Sequence, residues 1–356
     1  MFEIKDIAGL SEPLKRLIEV VAEGAGGVSR SLFTRINADA KAYEIRTIAQ
    51  AISDSQKSLG LVRYENGSII IEASANTEQS VLPESTFDQR VIARMAFQEA
   101  KKQSNLEQIT QHAAEELRDE QNIKSERPDS DWTTRFFRIA EDITSDQMQI
   151  LWGKVLAGEV KSPGSYSLRA LDLLKNITQK EAETFERVVQ ISFKSKESIF
   201  VPNPDNGKYL QDHFSLSFTD ILLLREIGLL VAHDLEFSLP PVEQEIQSFL
   251  TCGNTCVLIN RPKGTPKQAI QAIVFTEIGQ QLFQLVEKKP ADPKQVKKFA
   301  SLFQREGVTF QYGLIVEWQG RDFRYINLQK VPTDSDSEKG QPNMPNSADA
   351  KNRATD

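Results

Sequence analysis

Apolar residues recur every three to four positions over long stretches of this chain, and these stretches are interrupted by shorter runs of β-branched and alternating character. In residues 7 to 28, Leu14, Leu17, Ile18, Val20, Val21 and Ala25 fall near one helical face behind Pro13, with Ser11 placed to cap the start. The segment loosens at Gly24, Gly26 and Gly27. From Ala38 to Ile52, a run of good helix formers puts Ile45, Ile48, Ala49 and Ile52 on one stripe. The runs 61–64 and 68–72, separated by Asn66-Gly67, predict a short hairpin or a linker. Residues 87 to 123 give the longest helical pattern, in which Ile92, Met95, Leu106, Ile109, Ala113 and Leu117 are spaced by threes, fours and one longer polar gap around Gln103. A narrow seam of this kind suits either a helix packed on its own domain or a coiled-coil-like self-association element.

A polar linker at 124–131 ends at Trp132. Trp132, Phe136, Phe137, Ile139 and Ala140 predict one helix, and Ser145 opens another carrying Ile150, Leu151, Trp152, Val155, Leu156 and Ala157. Ser162-Pro163-Gly164 breaks the chain, Leu168, Leu171, Leu173 and Leu174 mark a third helix, and Thr178 caps a fourth from Gln179 to about Val189. Four short amphipathic helices imply a compact bundle. The run 201–207 (Val-Pro-Asn-Pro-Asp-Asn-Gly) reads as a loop and a domain boundary. Beyond it, 218–227 predicts a helix ended by Gly228, while 256–259 and 269–275 predict a hairpin around the loop 261–267. Helices at 276–288 and 293–305 follow, and strands near 310–318 and 323–328 end the pattern.

The expected fold is mainly α. It comprises an N-terminal helical region with a long coiled-coil-like helix (1–128), a central helical bundle (129–200), a smaller α+β winged-helix-like domain (208–331) and a disordered tail (332–356) almost without large apolar residues.

The length of 356 residues suits two or three domains, and the hydrophobic share of 39% is lean because the tail, the linkers and the long helix are polar. Two cysteines, Cys252 and Cys256, cannot supply a disulfide framework. The first residues form no signal peptide, and no window reaches the roughly 20 apolar residues that cross a bilayer, so a cytoplasmic protein is expected. Peripheral membrane contact through 7–28 is disfavoured, because Glu12, Glu19 and Glu23 outweigh Lys15 and Arg16 on that helix. Net charge is −7, yet residues 255–305 hold nine basic against three acidic groups, a balance of +6 that leaves −13 to the rest. Arg261, Lys263, Lys267, Lys294, Lys297 and Lys298 are therefore candidates for nucleic-acid contact, against the alternative of a solvated face balanced by the acidic remainder.

The sequence points to no reaction. His112, His213 and His233 are far apart, Cys252-Gly-Asn-Thr-Cys256 has no second ligand pair, and nucleophile elbows, phosphate loops and dinucleotide fingerprints are absent. No catalytic, cofactor or metal residue is assigned, and a non-enzymatic protein is expected.

The segment 132–142 (Trp-Thr-Thr-Arg-Phe-Phe-Arg-Ile-Ala-Glu-Asp), with 146–159 (Asp-Gln-Met-Gln-Ile-Leu-Trp-Gly-Lys-Val-Leu-Ala-Gly-Glu) and 163–169 (Pro-Gly-Ser-Tyr-Ser-Leu-Arg), resembles a bacterial family of unknown function. Similar phrases upstream extend the resemblance over much of 7–190. The order of acidic helix start, Leu-Trp-small-x-x-Leu-Ala and Leu-rich helix is also similar to Abi-alpha-type abortive-infection proteins of antiphage defence. That likeness implies a homo-oligomer acting through protein partners. Beside it, the residues themselves make Trp152, among Leu151, Val155 and Leu156, a core anchor together with Trp132, while Arg135, Asp142, Glu159 and Arg169 lie close to the same helix ends and form either internal ion pairs or a contact surface for a partner. In the C-terminal region, 222–230 and 274–282 look like helix-and-strand phrases of winged-helix modules, which implies a DNA-binding regulator as the alternative.

Overall fold

The computed structural model describes residues 11–26, 61–65, 68–72, 87–196, 198–319 and 322–331. The helix expected at 38–52 and the disordered tail expected at 332–356 lie outside the described residues. The chain divides into two compact units. The first runs to Ile177 and takes back Gln281–Leu285; the second holds Thr178–Gln280 and the chain from Val286.

In the first unit, α1 (Glu12–Ala25) is followed by an antiparallel pair, β1 (Leu61–Glu65) and β2 (Ser68–Glu72). Then come α2 (Phe87–Glu116), α3 (Ser130–Ala140), α4 (Asp146–Lys161) and α5 (Leu168–Asn176). Local chemistry sets several ends: Asp129 accepts from the Trp132 N–H at the start of α3, and Ser167 accepts from the Ala170 N–H at the start of α5. Each helix turns one apolar face inward, so Leu17, Val20, Ile109, Ala113, Phe136, Trp152, Leu156 and Leu171 share one core. Full burial of such a side chain contributes about 1.5–3 kcal/mol. Helices α2 and α4 approach so closely that a Cβ at Gly153 would stand 2.5 Å from the Cβ of His112.

The polar gap in the long helix has a structural use. Asn105 donates to the Glu141 carbonyl at 2.7 Å, and Gln149 donates both to Asn105 Oδ1 at 3.2 Å and to the Ile143 carbonyl at 2.9 Å. Both side chains are buried, so the network ties α2 to the end of α3 and the start of α4. N-terminal to it, α2 leaves the core. It has 30 residues against 16 in α4, and Phe87, Ile92, Met95 and Phe97 are 52 to 71% exposed.

The second unit begins with α6 (Gln179–Gln190), closed at its start by a reciprocal capping box between Thr178 and Glu181. It continues with β3 (Phe193–Lys194), β4 (Ile199–Pro202), α7 (Lys208–Phe214) and α8 (Phe218–Glu226), the last with a Ser217/Asp220 capping box. Strands β5 (Leu235–Leu239), β6 (Ile246–Cys252), β7 (Thr255–Arg261) and β8 (Gln268–Val274) follow, with α9 (Glu277–Phe283) beginning in this unit. The unit closes with α10 (Pro293–Leu302), β9 (Thr309–Gln319) and β10 (Asp322–Lys330). The eight strands form one antiparallel sheet in the order β10-β9-β7-β6-β3-β4-β8-β5. Helix α10 lays Val296, Phe299 and Phe303 on the face made by Phe193, Phe200, Val257, Ile259 and Phe310, with Phe299 stacked 4.0 Å from Phe193. Because side chains alternate along a strand, Val201 and Ile273 are buried toward the opposite face, and Phe185 of α6 packs 5.8 Å from Phe275.

This sheet overturns four expectations. The fold is α+β rather than mainly α, and the C-terminal region is an eight-stranded sheet rather than a small winged-helix domain. The runs read as a hairpin, β7 and β8, are not neighbours: β7 pairs with β6 and β9, and β8 with β4 and β5. Val201-Pro202, read as the start of a loop, ends β4 inside the sheet. The physical reason is the same in each case. Strands β3, β4, β5 and β6 are short or weakly alternating, and their backbone partners come from elsewhere in the chain. The two winged-helix-like phrases instead meet each other, Leu230 bridging Phe275 and the Thr276 N–H donating to the Leu229 carbonyl at 3.1 Å.

Candidate functional site

The six residues of the 132–169 segment do not converge. Trp132 and Trp152 are buried and joined through Phe136, with ring centroids 5.0 and 5.3 Å from it. Arg135, Asp142 and Arg169 are exposed, and no ion pair links them to one another among the described residues. Glu159 is 1% exposed and holds the turn after α4, accepting from the Gly164 N–H at 2.6 Å and the Tyr166 N–H at 3.1 Å. Burial pushes its carboxyl above the usual range, against the backbone N–H groups that pull it down.

The basic candidates also separate. Arg261 is buried and donates to the Pro240 carbonyl at 2.6 Å, so the fold itself uses it. Lys267 pairs with Glu236. Lys263 lines a shallow cleft of about 440 Å³ with Arg305 and Glu306, while Lys294, Lys297 and Lys298 lie on α10, whose apolar side is committed to the sheet. A recognition helix with a basic wing beside it is not what these residues build.

A second cleft, of about 470 Å³, opens where β4 leaves the sheet, lined by Asn203, Asp205, Asn206, Arg225, His233, Asp234 and Gln271 among others. Buried Asn203 organises it, donating to Asp234 Oδ2 at 2.6 Å and accepting from the Gly207 N–H at 2.6 Å. Asp234 also receives Arg225, and Asp205 accepts from the Tyr209 N–H at 2.6 Å. Most polar groups of this cleft are thus engaged in holding its own loop. Elsewhere, His112 stands 3.4 Å from Glu115, His213 packs edge-on against Tyr209, and burial pushes the Cys252 thiol up to about 12.

The feature best placed to meet a partner is aromatic, and sequence reading missed it. Phe323 of β10 is the hub, with ring centroids 5.0 Å from Phe249 of β6, 5.3 Å from Trp318 of β9 and 6.2 Å from Tyr325. Strand β6 lies two strands away from β9, so this contact requires the β9–β10 hairpin to bend over the sheet. Register shifts between Arg324 and Tyr325 and between Ile326 and Gln329 provide that bend. Trp318 is 50%, Tyr325 38% and Phe249 36% exposed. The only sequence signal was the aromatic content of the two strands; nothing placed Phe249 beside them.

Together these features define an α+β protein of two units, with an exposed aromatic surface on an antiparallel sheet. The chain belongs to a family of proteins of unknown function (DUF2806), which it matches over residues 89–297. The match begins with α2 and extends into α10, so it covers only the later part of the span of 7–190 expected from sequence phrases and continues beyond it. No curated protein and no solved structure matches the chain. No described helix is long and apolar enough to cross a membrane, and no group of three or more His, Cys, Asp or Glu that could hold a metal occurs among the described residues.

Proposed function

We propose that this protein is a non-enzymatic, oligomeric contact protein, and that it serves bacterial antiphage defence of the abortive-infection kind. The observation supporting the contact role is the Phe249–Trp318–Phe323–Tyr325 surface. Trp and Tyr dominate binding hot spots because they bury large areas with few rotatable bonds, and a cluster of half-exposed rings is the usual mark of a face that is covered in use. The defence setting is supported by the resemblance of the 132–169 segment.

The test is a plaque count on cells with and without the gene, repeated for Trp318→Ala combined with Tyr325→Ala. Protection by the wild type and its loss in the variant, at unchanged melting temperature, is the expected result. Retained protection in the variant removes the aromatic surface from the mechanism, and absence of protection by the wild type removes the defence setting.

A further inference from the structure

We propose that the acidic segment 334–338 of this chain docks on the basic outer face of α10 and masks that face from other polyanions. Helix α10 turns Gln295, Val296, Phe299 and Ala300 into the second unit and leaves Lys294, Lys297 and Lys298 on its other side, with no acidic residue between its N-cap, Asp292, and Glu306. Past the end of the helix the face continues into the cleft of about 440 Å³ that Lys263 and Arg305 line with Glu306. It therefore carries five basic groups against two carboxylates, and the Asp292 carboxylate is turned to the helix end, where it accepts from the Lys294 N–H at 2.8 Å. Lys263, Lys294, Lys298 and Arg305 enter no ion pair among the described residues.

Tether and charge select the occupant. Val331, the last described residue, donates its N–H to the Phe310 carbonyl at 2.9 Å and is buried in the core that α10 covers, where the Phe310 ring lies 6.4 Å from Phe299. The chain leaves the second unit beside the C-terminal end of the helix, because Arg305 accepts from the Val308 N–H at 3.1 Å just before β9 begins. The run 332–338 (Pro-Thr-Asp-Ser-Asp-Ser-Glu) comes next, with three acidic groups and no basic one. Residues 339–356 hold three basic and two acidic groups, so the negative charge is concentrated at the exit. Fully extended, three residues span about 10 Å and seven about 24 Å, enough to pass around a helix about 10–12 Å across. Every second residue of an extended chain returns to the same side at about 6.6 Å, which sets Asp334, Asp336 and Glu338 in a row, while Lys294 and Lys298 repeat along α10 at about 6 Å. Two rows of opposite charge and similar pitch thus meet, Asp334 toward Arg305 and Glu338 toward Lys294. Such exposed pairs are individually weak, so the docking is sensitive to salt.

The experiment uses the full chain, with zero-length carbodiimide cross-linking read by peptide mass spectrometry and heparin as the polyanion probe. Amide links from Asp334, Asp336 or Glu338 to Lys294, Lys297 or Lys298 are expected at low salt and are lost at about 0.5 M salt. In a mixture of isotope-labelled and unlabelled protein, these links join peptides of the same label. Neutralising the segment by Asp334→Asn, Asp336→Asn and Glu338→Gln is expected to tighten heparin binding by at least about tenfold. The same change in net charge at Glu226, Glu243 and Glu245, exposed elsewhere in this unit, has a smaller effect, and adding Lys294→Gln, Lys297→Gln and Lys298→Gln removes the gain. Links scattered over other lysines, links between labels, or a gain no larger than in the control overturn the proposal. A wild type that already binds heparin through these three lysines as tightly as the neutralised chain means that the face is open to another polyanion, and overturns it too.

Discussion

The Asn105–Gln149 network offers a quantitative test of how the first unit is held together. Replacing Gln149 by Leu keeps the volume nearly constant but removes two hydrogen bonds, leaving Asn105 Oδ1 and the Ile143 carbonyl without their donor in a buried site. An orphaned buried polar group costs about 1–3 kcal/mol, and added apolar burial returns part of it, so a net loss of about 2–4 kcal/mol is expected. Asn105→Leu removes the bond to the Glu141 carbonyl and strips Gln149 of one acceptor, with a similar cost. The double variant no longer contains two mismatched amides; its loss is expected to fall short of the summed singles by about 1–2 kcal/mol. Urea unfolding followed by tryptophan fluorescence in a Trp318→Phe background isolates this unit, because the other two of the three tryptophans, Trp132 and Trp152, are in its core. Additive single effects, or a Gln149→Leu protein more stable than its parent, would refute the idea that the polar gap in α2 is a buried fastening.

Three other outcomes follow from the same geometry. Gly279→Ala is expected to destabilise the second unit despite alanine's helix advantage of about 1 kcal/mol, since its Cβ would stand 2.1 Å from the Leu229 carbonyl oxygen; circular dichroism melting decides the sign. Glu159 has a folded pKa raised above its ordinary 4.5, so between those values the folded chain holds the proton more tightly than the unfolded one. Stability is therefore expected to rise as pH falls through that window and to decline as pH rises through it, and Glu159→Gln should remove this slope in urea titrations. Lys267→Ala breaks only an exposed pair with Glu236 and is expected to change stability by no more than about 1 kcal/mol, measured by the same unfolding midpoints.

Some elements can be read from the sequence because their causes are local. The cap read at Thr178 acts on the Glu181 N–H three positions away, whereas Ser11 and Ser145 precede α1 and α4 without a side-chain capping bond, and the stripes of α1, α3 and α6 repeat within a few turns. Strands β9 and β10 are legible for the same reason, being consecutive in the chain and paired with each other. The oily surroundings expected for Trp152 are present, since Val155 and Leu156 lie on the same buried stretch of helix.

The remaining features depend on distant partners. Strand β3 has two residues and exists only because β4 and β6 flank it, and β6 and β5 alternate too weakly to announce themselves without β7 and β8 beside them. Arg261 counts as one positive charge in the sequence, but the Pro240 carbonyl and burial take it off the surface. Phe249 is 74 positions from Phe323, and only a bent hairpin two strands away makes them neighbours. The sequence by itself thus determined most of the described helices, the Thr178 cap and the last hairpin, where each contact closes within a turn or two, while α7 was not read from it. The tertiary structure decided the sheet order, the charges that remain available and the aromatic surface, because each depends on backbone and side-chain groups brought together over tens of residues.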